Sequence, residues 1–279
     1  MEQKKIVVIS DTHLGSETCD RAALNDFLDG LKKDPLASDL VLLGDIVDMW
    51  RRDASGVFLE NRDTIDRILD LPKSIQVHYV AGNHDYHVHR YRNSKPYFRY
   101  PLEFSRELSI VDGQFTYRFI HGYELEYGQE HEEPVMYMVM DALCRVMSDG
   151  EGSLEDEVWG ISTKTWSEVA YFFSMITRRK KYRIKMATRR LQNAPETRLA
   201  DNMREIEKKA YDRLMGRPDE ILVFGHTHHP FINEEENVVN VGSWVTDAAV
   251  HDTYVELSGG KPRLFVFGGN EITERARLR

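Results

Sequence analysis

Cysteine is nearly absent from this 279-residue chain: Cys19 and Cys144 lie far apart and form no Cys-x-x-Cys pair. That leaves no disulfide framework to read and points to a reduced, cytoplasmic protein. Runs of about 18 apolar residues are missing too, so no segment reads as a membrane-spanning helix. The start, from Met1 to Ile6, passes straight into a strand-like run, and a targeting peptide is not expected. No internal repeat or low-complexity segment is visible. Positive charge is in deficit: 37 Lys and Arg against 46 Asp and Glu give a formal net charge of −9. That balance argues against a general nucleic-acid-coating role.

The charge is uneven along the chain. From Glu124 to Glu157 it is almost all acidic, with Arg145 nearly alone on the basic side. From Arg178 to Arg190 it is all basic: Arg178, Arg179, Lys180, Lys181, Arg183, Lys185, Arg189 and Arg190. Total charge is therefore a poor guide to partners. The length suits one α/β domain carrying an insertion, and it can bury a full core.

Apolar runs rich in β-branched residues mark candidate strands at Ile6–Ile9, Asp39–Leu43, Ile75–Val80 and Phe115–Ile120. Later runs follow at Ile221–Phe224, Val238–Val241, Thr253–Leu257 and Leu264–Phe267. Between the first strands, Ala23, Leu24, Phe27, Leu28 and Leu31 recur at helical spacing, as do Ile65, Ile68 and Leu69. The early strands alternate with helices and the late ones do not. That pattern predicts a layered αββα sandwich of two mixed β-sheets flanked by helices, with a helical cap insertion.

The insertion is expected over 130–216, leaving 1–129 and 217–279 as the core. Pro134 opens a Met-rich stretch, Val135 to Met140, that continues through Leu143, Val146 and Met147. Thr165 and Glu168 fit a capping box for a helix whose stripe is Trp166, Val169, Ala170, Phe173 and Ile176. After Pro195 a further helix carries Leu199, Met203, Ile206, Ala210 and Leu214, stopped by Gly216 and Pro218. The segment is too long for a plain connection and reads as a lid or substrate-binding cap.

Five motifs run through the chain in order: Asp11-Thr12-His13, Gly44-Asp45-Ile46-Val47-Asp48, Gly82-Asn83-His84-Asp85, His121-Gly122 and Gly225-His226-Thr227-His228. Each offers oxygen or imidazole ligands, and most follow an apolar strand-like run. Asp11 and His13 sit two apart, so extended backbone points both the same way. His226 and His228 repeat that spacing. His121 is preferred over His131, because it ends a strand and precedes a glycine whereas His131 sits among glutamates. Carboxylate, imidazole and amide ligands suit Mn²⁺, Fe or Zn²⁺ better than Ca²⁺. Two such ions, about 3.5–4 Å apart, can clamp a phosphoryl group during in-line attack.

The ordered set resembles the calcineurin-like metallophosphoesterase superfamily, whose pattern is D-x-H, GDxxD, GNH[DE], H and GHxH, from Ile6 to about Trp244. The resemblance implies that Asp11, His13, Asp45 and His228 hold one divalent metal ion. It implies that Asp45, as a bridge, holds the other with Asn83, His121 and His226. Mn²⁺ is the expected metal, with Fe or Zn²⁺ as alternatives. His84 matches the family's general acid near the leaving group, and Asp48 the carboxylate that orients it. The implied reaction is hydrolysis of a phosphodiester or pyrophosphate bond by a metal-bridging hydroxide, with no covalent enzyme intermediate.

Within the superfamily, Ser10 to Gly15, Gly44 to Trp50, Gly225 to Pro230 and Asn240 to Val245 resemble the UDP-2,3-diacylglucosamine diphosphatase-like group. The best-known members of that group carry Arg where this chain has His84. The implied substrate is a phosphorylated small molecule or a nucleotide- or lipid-linked one. The Met-rich stripe beside the basic run would suit an acidic head with a greasy tail, or peripheral membrane contact through the cap. Those side chains equally suit the cap's own core and a solvated face paired to the acidic stretch. Arg51, Arg52, His87 and Arg90, with His89 and Tyr91 beside them, are candidate substrate contacts, since Arg matches phosphate bidentately. Two other classes share the motifs. A nuclease of the Mre11 type would add DNA-binding parts for which this chain lacks the length. A non-catalytic scaffold of the retromer type would lose ligands or the catalytic His, and here every such position is filled.

Overall fold

A computed structural model describes residues 5–86, 88, 102–126, 206, 208–210, 219–233, 235 and 237–272. All of them fall in one unit made of 1–150 and 206–279. In chain order its first elements are β1 (Lys5–Ile9), α1 (Arg21–Leu31), β2 (Ala37–Leu43), α2 (Ala54–Glu60), α3 (Arg62–Asp70), β3 (Gln76–Val80) and β4 (Glu103–Ser105). There follow β5 (Leu108–Asp112), β6 (Phe115–Phe119), α4 (Tyr123–Glu126), β7 (Glu220–Phe224), β8 (Phe231–Asn233), β9 (Val238–Asn240), β10 (Thr253–Ser258) and β11 (Lys261–Val266).

The strands form two mixed sheets, in the orders β11-β10-β1-β2-β3-β4 and β5-β6-β7-β9-β8. In the first, β1 to β4 run parallel, and β10 and β11 add antiparallel at one edge. In the second, β6, β7 and β9 run parallel, with β5 and β8 antiparallel at the two edges.

Side-chain parity builds the layers, because successive residues of a strand face opposite ways. Ile6, Val8, Val41, Leu43 and Val80 of the first sheet share a core with Tyr117, Phe119, Ile221, Val223 and Val239 of the second. The intervening Val7, Ile9, Leu40 and Leu42 face outward against Leu24, Phe27, Leu28 and Leu31 of α1 and Ile68 of α3. On the far side, Leu222 and Phe224 pack with Ile120, Leu125, Phe231, Ile206 and Ala210. The result is helix, sheet, sheet and helix, and it explains why β1, β2 and β7 read as unbroken apolar runs. Asp20 starts α1 by accepting the Ala23 N–H at 3.0 Å.

Four elements stand outside the apolar runs. β4 and β8 have three residues each. In β5 half-buried and exposed positions alternate, and Ser109 interrupts its apolar residues; Val111 is 71% exposed. α2 is two turns long and is started by Asp53, which accepts the Gly56 N–H. Apart from Ile206 and 208–210, the expected insertion over 130–216 lies outside the described residues, with its Met-rich stretch and basic run. Ile206 and Ala210, one helical turn apart, belong to the outer layer of the second sheet. Among the described residues no helix is long and apolar enough to cross a membrane.

Phe27 ties α1 to the strand edge, its ring 5.1 Å from those of Trp244 and Tyr254 and 5.7 Å from that of Phe267. Phe27→Ala is expected to lower the unfolding free energy by about 3–5 kcal/mol in urea titrations. Val111→Ala, at an exposed position, should change it by no more than about 0.5 kcal/mol.

Candidate metal centre

The parallel strands of both sheets deliver polar residues to the loops at their C-terminal ends. Asp11 and His13 follow β1, Asp45 and Asp48 follow β2, Asn83 and His84 follow β3, His121 follows β6, and His226 and His228 follow β7. Ligand crevices of open α/β sheets form outside these strand ends.

Three groups of possible ligand atoms converge there among the described residues, one of them His13, Asp48 and His84. In Asp11, His13 and His228, one ligand atom from each lies within 4.8 Å of the others, and the same holds for Asp45, His121 and His226. The groups adjoin: His13 Nε2 lies 3.9 Å from both Asp11 Oδ1 and Asp45 Oδ2. His228 Nε2 is 3.3 Å from Asp11 Oδ1, and His121 Nε2 is 3.2 Å from Asp45 Oδ2. Asn83 is buried between the same loops.

Each aspartate divides its oxygens. Asp11 Oδ2 accepts the His226 N–H at 2.8 Å, and the Ser10 hydroxyl lies 2.5 Å away, while Oδ1 faces the histidines. Asp45 Oδ1 accepts the His84 N–H at 2.8 Å, while Oδ2 faces His121 and His13. Main-chain and hydroxyl donors thus fix one oxygen of each carboxylate and leave the other for the pocket. The imidazoles follow the same rule. His121 Nδ1 donates to the Leu43 carbonyl at 2.9 Å, and His13 Nδ1 donates to Asp48 Oδ2 at 3.1 Å, which leaves both Nε2 atoms aimed inward.

Asp48 serves a second ring as well. His84 Nδ1 donates to its Oδ1 at 2.9 Å, Arg51 donates to Oδ2 at 2.7 Å, and the Trp50 and Arg51 amide N–H groups also donate to Oδ1. The Trp50 indole stacks on the His84 ring at 4.3 Å and 18°. The open side of the pocket is marked by the His84, His228 and Arg51 side chains, 14%, 33% and 39% exposed.

Burial alone would raise the Asp45 and Asp11 carboxyls, but the neighbouring imidazoles, His121 foremost, hold both below the usual range. Burial opposes ionisation of Asp48 too. The charge of His84 and the hydrogen bonds from His13 and His84 outweigh it and keep that carboxyl well below its ordinary value. At His84 burial lowers the imidazole, and the charges of Asp48 and Asp45 with the Asp48 hydrogen bond overcome it, so its pKa is raised. At His13 burial prevails and the pKa is lowered.

The backbone is strained where the ligands sit. Among the described residues seven non-glycine positions have positive φ, and five of them are Asp11, His13, Asp45, His226 and His228. Asp and His tolerate this region better than most residues, at a cost of order 1 kcal/mol each. Gly44, at φ +79°, and Gly82 clear the space. A Cβ would come within 2.4 Å of His121 Nδ1 at the first and 2.1 Å of Asp45 Oδ1 at the second.

Divalent cations fit this pocket. Asp11 Oδ1 and His121 Nε2 are buried without a hydrogen bond of good geometry, and carboxylates beside inward-facing imidazole nitrogens form a donor set for Mn²⁺, Fe or Zn²⁺. The sequence-predicted substrate contacts fare unevenly. Arg51 reaches the pocket through Asp48, whereas Arg52 pairs with Glu60 and Asp53. His87 and Arg90, with His89 and Tyr91, lie outside the described residues, as does His131. The sequence reading assigned no role to Ser10 or Asn240. Asn240 is buried and donates to the Gly225 carbonyl at 2.9 Å and the Thr227 hydroxyl at 3.0 Å, which braces the His226–His228 loop. A polar residue ending the apolar run Val238-Val239 is the signal that could have revealed it.

A family model described as calcineurin-like phosphoesterase matches residues 4–230. No curated protein matches the chain. Among solved structures, the chain is similar to Yfce, a phosphoesterase from E. coli, at 14% identity over 96% of this chain and 97% of that one, with a TM-score of 0.43. It is also similar to a dimetal phosphatase from Danio rerio, at 12% identity over 95% and 100%, with a TM-score of 0.44. A third likeness is to Vacuolar Protein Sorting 29 from Cryptosporidium parvum, at 14% identity over 98% and 99%, with a TM-score of 0.40. With the family model spanning every one of the first four motifs and the Gly225–His228 motif as well, the chain belongs to the calcineurin-like phosphoesterases and is a metal-dependent phosphoric ester hydrolase.

Proposed function

We propose that the chain uses two divalent ions to hydrolyse a phosphodiester or pyrophosphate bond. The observation that carries this reading is the adjacency of two ligand groups, Asp11, His13 and His228 beside Asp45, His121 and His226, with His84 at their open side. Asp45 is the proposed bridge and Asn83 the amide ligand of the second ion. Mn²⁺ is the proposed metal, with Fe or Zn²⁺ compatible with the same donors. Ions bound there supply Lewis acidity toward the phosphoryl oxygens and activate water for in-line attack.

The chain's own residues do the rest. Asp48 holds His84 by Nδ1, so Nε2 carries the proton that can pass to the leaving oxygen. The raised pKa of His84 keeps that proton available near neutral pH. Stacking on Trp50 fixes the plane of the ring. Arg51, anchored on Asp48 and partly exposed, is the proposed phosphate contact from this part of the chain.

The substrate reading is narrower. Ser10 to Gly15, Gly44 to Trp50 and Asn240 to Val245 support a place near the UDP-2,3-diacylglucosamine diphosphatase-like group, hence a nucleotide- or lipid-linked pyrophosphate. His84, standing where that group's best-known members have Arg, favours the wider group over that one reaction. The Met-rich and basic composition of 130–216 supports a role for this insertion as a substrate-selecting cap. The separated cysteines agree with a reducing, cytoplasmic setting.

The direct test is hydrolysis of bis-p-nitrophenyl phosphate by metal-stripped protein before and after addition of Mn²⁺. Turnover should appear only with metal, and its absence with Mn²⁺ would remove the diesterase reading. His84→Ala should retain both ions by elemental analysis. It should slow turnover by about 10²–10⁴-fold on esters with poor leaving groups and much less on bis-p-nitrophenyl phosphate. An equal loss on both substrate types would rule His84 out as the acid.

A further inference from the structure

The parallel ladder between β2 and β3 ends at the pair Leu43 and Val80. Beyond it both strands turn into loops, one carrying Asp45 and the other Asn83. A single side chain takes over where the ladder stops. Asp85 is fully buried. Its Oδ2 accepts the Ile46 N–H at 2.7 Å, the Val47 N–H at 3.4 Å and the Tyr79 hydroxyl at 2.6 Å, and its Oδ1 accepts the Gly82 N–H at 2.6 Å. Both oxygens are spent on donors, so Asp85 is not free to ligate an ion. The donors come from three segments: the loop after β2, the end of β3 and the loop after β3.

We propose that Asp85 is a positioning residue that latches the Asp45 loop to the Asn83 loop and so sets the geometry of the second metal site. The inference rests on the two-ion reading above. It follows from connectivity. Ile46 adjoins Asp45, which sits at a positive φ and would relax if its neighbour were released. Gly82 adjoins Asn83 and packs against Asp45 with no room for a Cβ. Two further stitches join the same loops, from the Met49 N–H to the His84 carbonyl at 3.3 Å and from the His84 N–H to Asp45 Oδ1 at 2.8 Å. Neither holds Ile46 or Gly82. The first ion's other ligands, Asp11, His13 and His228, lie on loops that Asp85 does not touch.

Asp85→Asn tests the latch. The amide sets an NH₂ group against an N–H that the carboxylate accepted, donor against donor, with little change of volume. The measurement is equilibrium dialysis of the full metal-stripped chain against graded Mn²⁺ with elemental analysis, alongside circular dichroism. The wild type should bind two ions. The variant should lose about 10–100-fold in affinity for the second ion, the usual scale for residues that support ligands, and distinctly less for the first, which shares only Asp45 with it. Two ions at wild-type affinities would overturn the latch. So would a parallel loss of both ions, which a merely structural carboxylate would give. A wild type that takes up fewer than two ions would overturn the two-ion reading itself. If Asp85→Asn does not fold, Tyr79→Phe removes one donor and keeps the carboxylate. It should weaken the second ion roughly tenfold, at the low end of the same scale, and an unchanged affinity would overturn the proposal.

Discussion

Three carboxylates, those of Asp11, Asp45 and Asp48, are taken out of water at the mouth of one sandwich. An ionised carboxylate moved into a protein interior costs several kcal/mol unless compensated. Most polar detail around them is compensation. Amide N–H groups from His226, His84, Trp50 and Arg51 meet these oxygens, and imidazoles supply much of the rest. What is left over, an oxygen here and a ring nitrogen there, is aimed into the pocket, and that residue of unmet demand is what cations answer.

The two-sheet architecture makes the arrangement possible. Parallel strands end together, so β1, β2 and β3 bring their loops to one edge, and β6 and β7 bring theirs to the matching edge of the second sheet. The apolar layer of Val8, Val41, Val223 and their neighbours holds the sheets together. Without it the ligands from β1 to β3 would not meet those from β6 and β7. The His84 ring depends on the same arrangement, for Asp48 accepts from His13 and His84 together and links that ring to the candidate metal pocket.

The layers were legible in the sequence, and so was the convergence of the five polar motifs, because both have local signatures. Apolar runs such as Ile6–Ile9 reveal doubly covered strands, and ligands two residues apart at strand ends reveal a site. β5 escaped notice because its buried positions are only half buried, and α2 because two turns give too little periodicity. Arg52 looked like a phosphate contact from its place after Asp48, yet Glu60, one helix further on, takes its guanidinium. Ser10, which also donates to the Leu43 carbonyl at 2.8 Å, and Asn240 act on groups distant in sequence, and such partnerships leave no spacing to read. The expected insertion over 130–216 lies, apart from Ile206 and 208–210, outside the described residues.

The five left-handed positions among the candidate ligands carry an evolutionary consequence. At each of them glycine would relax the main chain, so mutations that erase a ligand can strengthen the fold they damage functionally. Selection for robustness and selection for turnover therefore pull in opposite directions at the same five residues. A descendant freed from catalysis would drift toward a sturdier, silent sandwich, and only continued demand for chemistry keeps these residues where the backbone resists them.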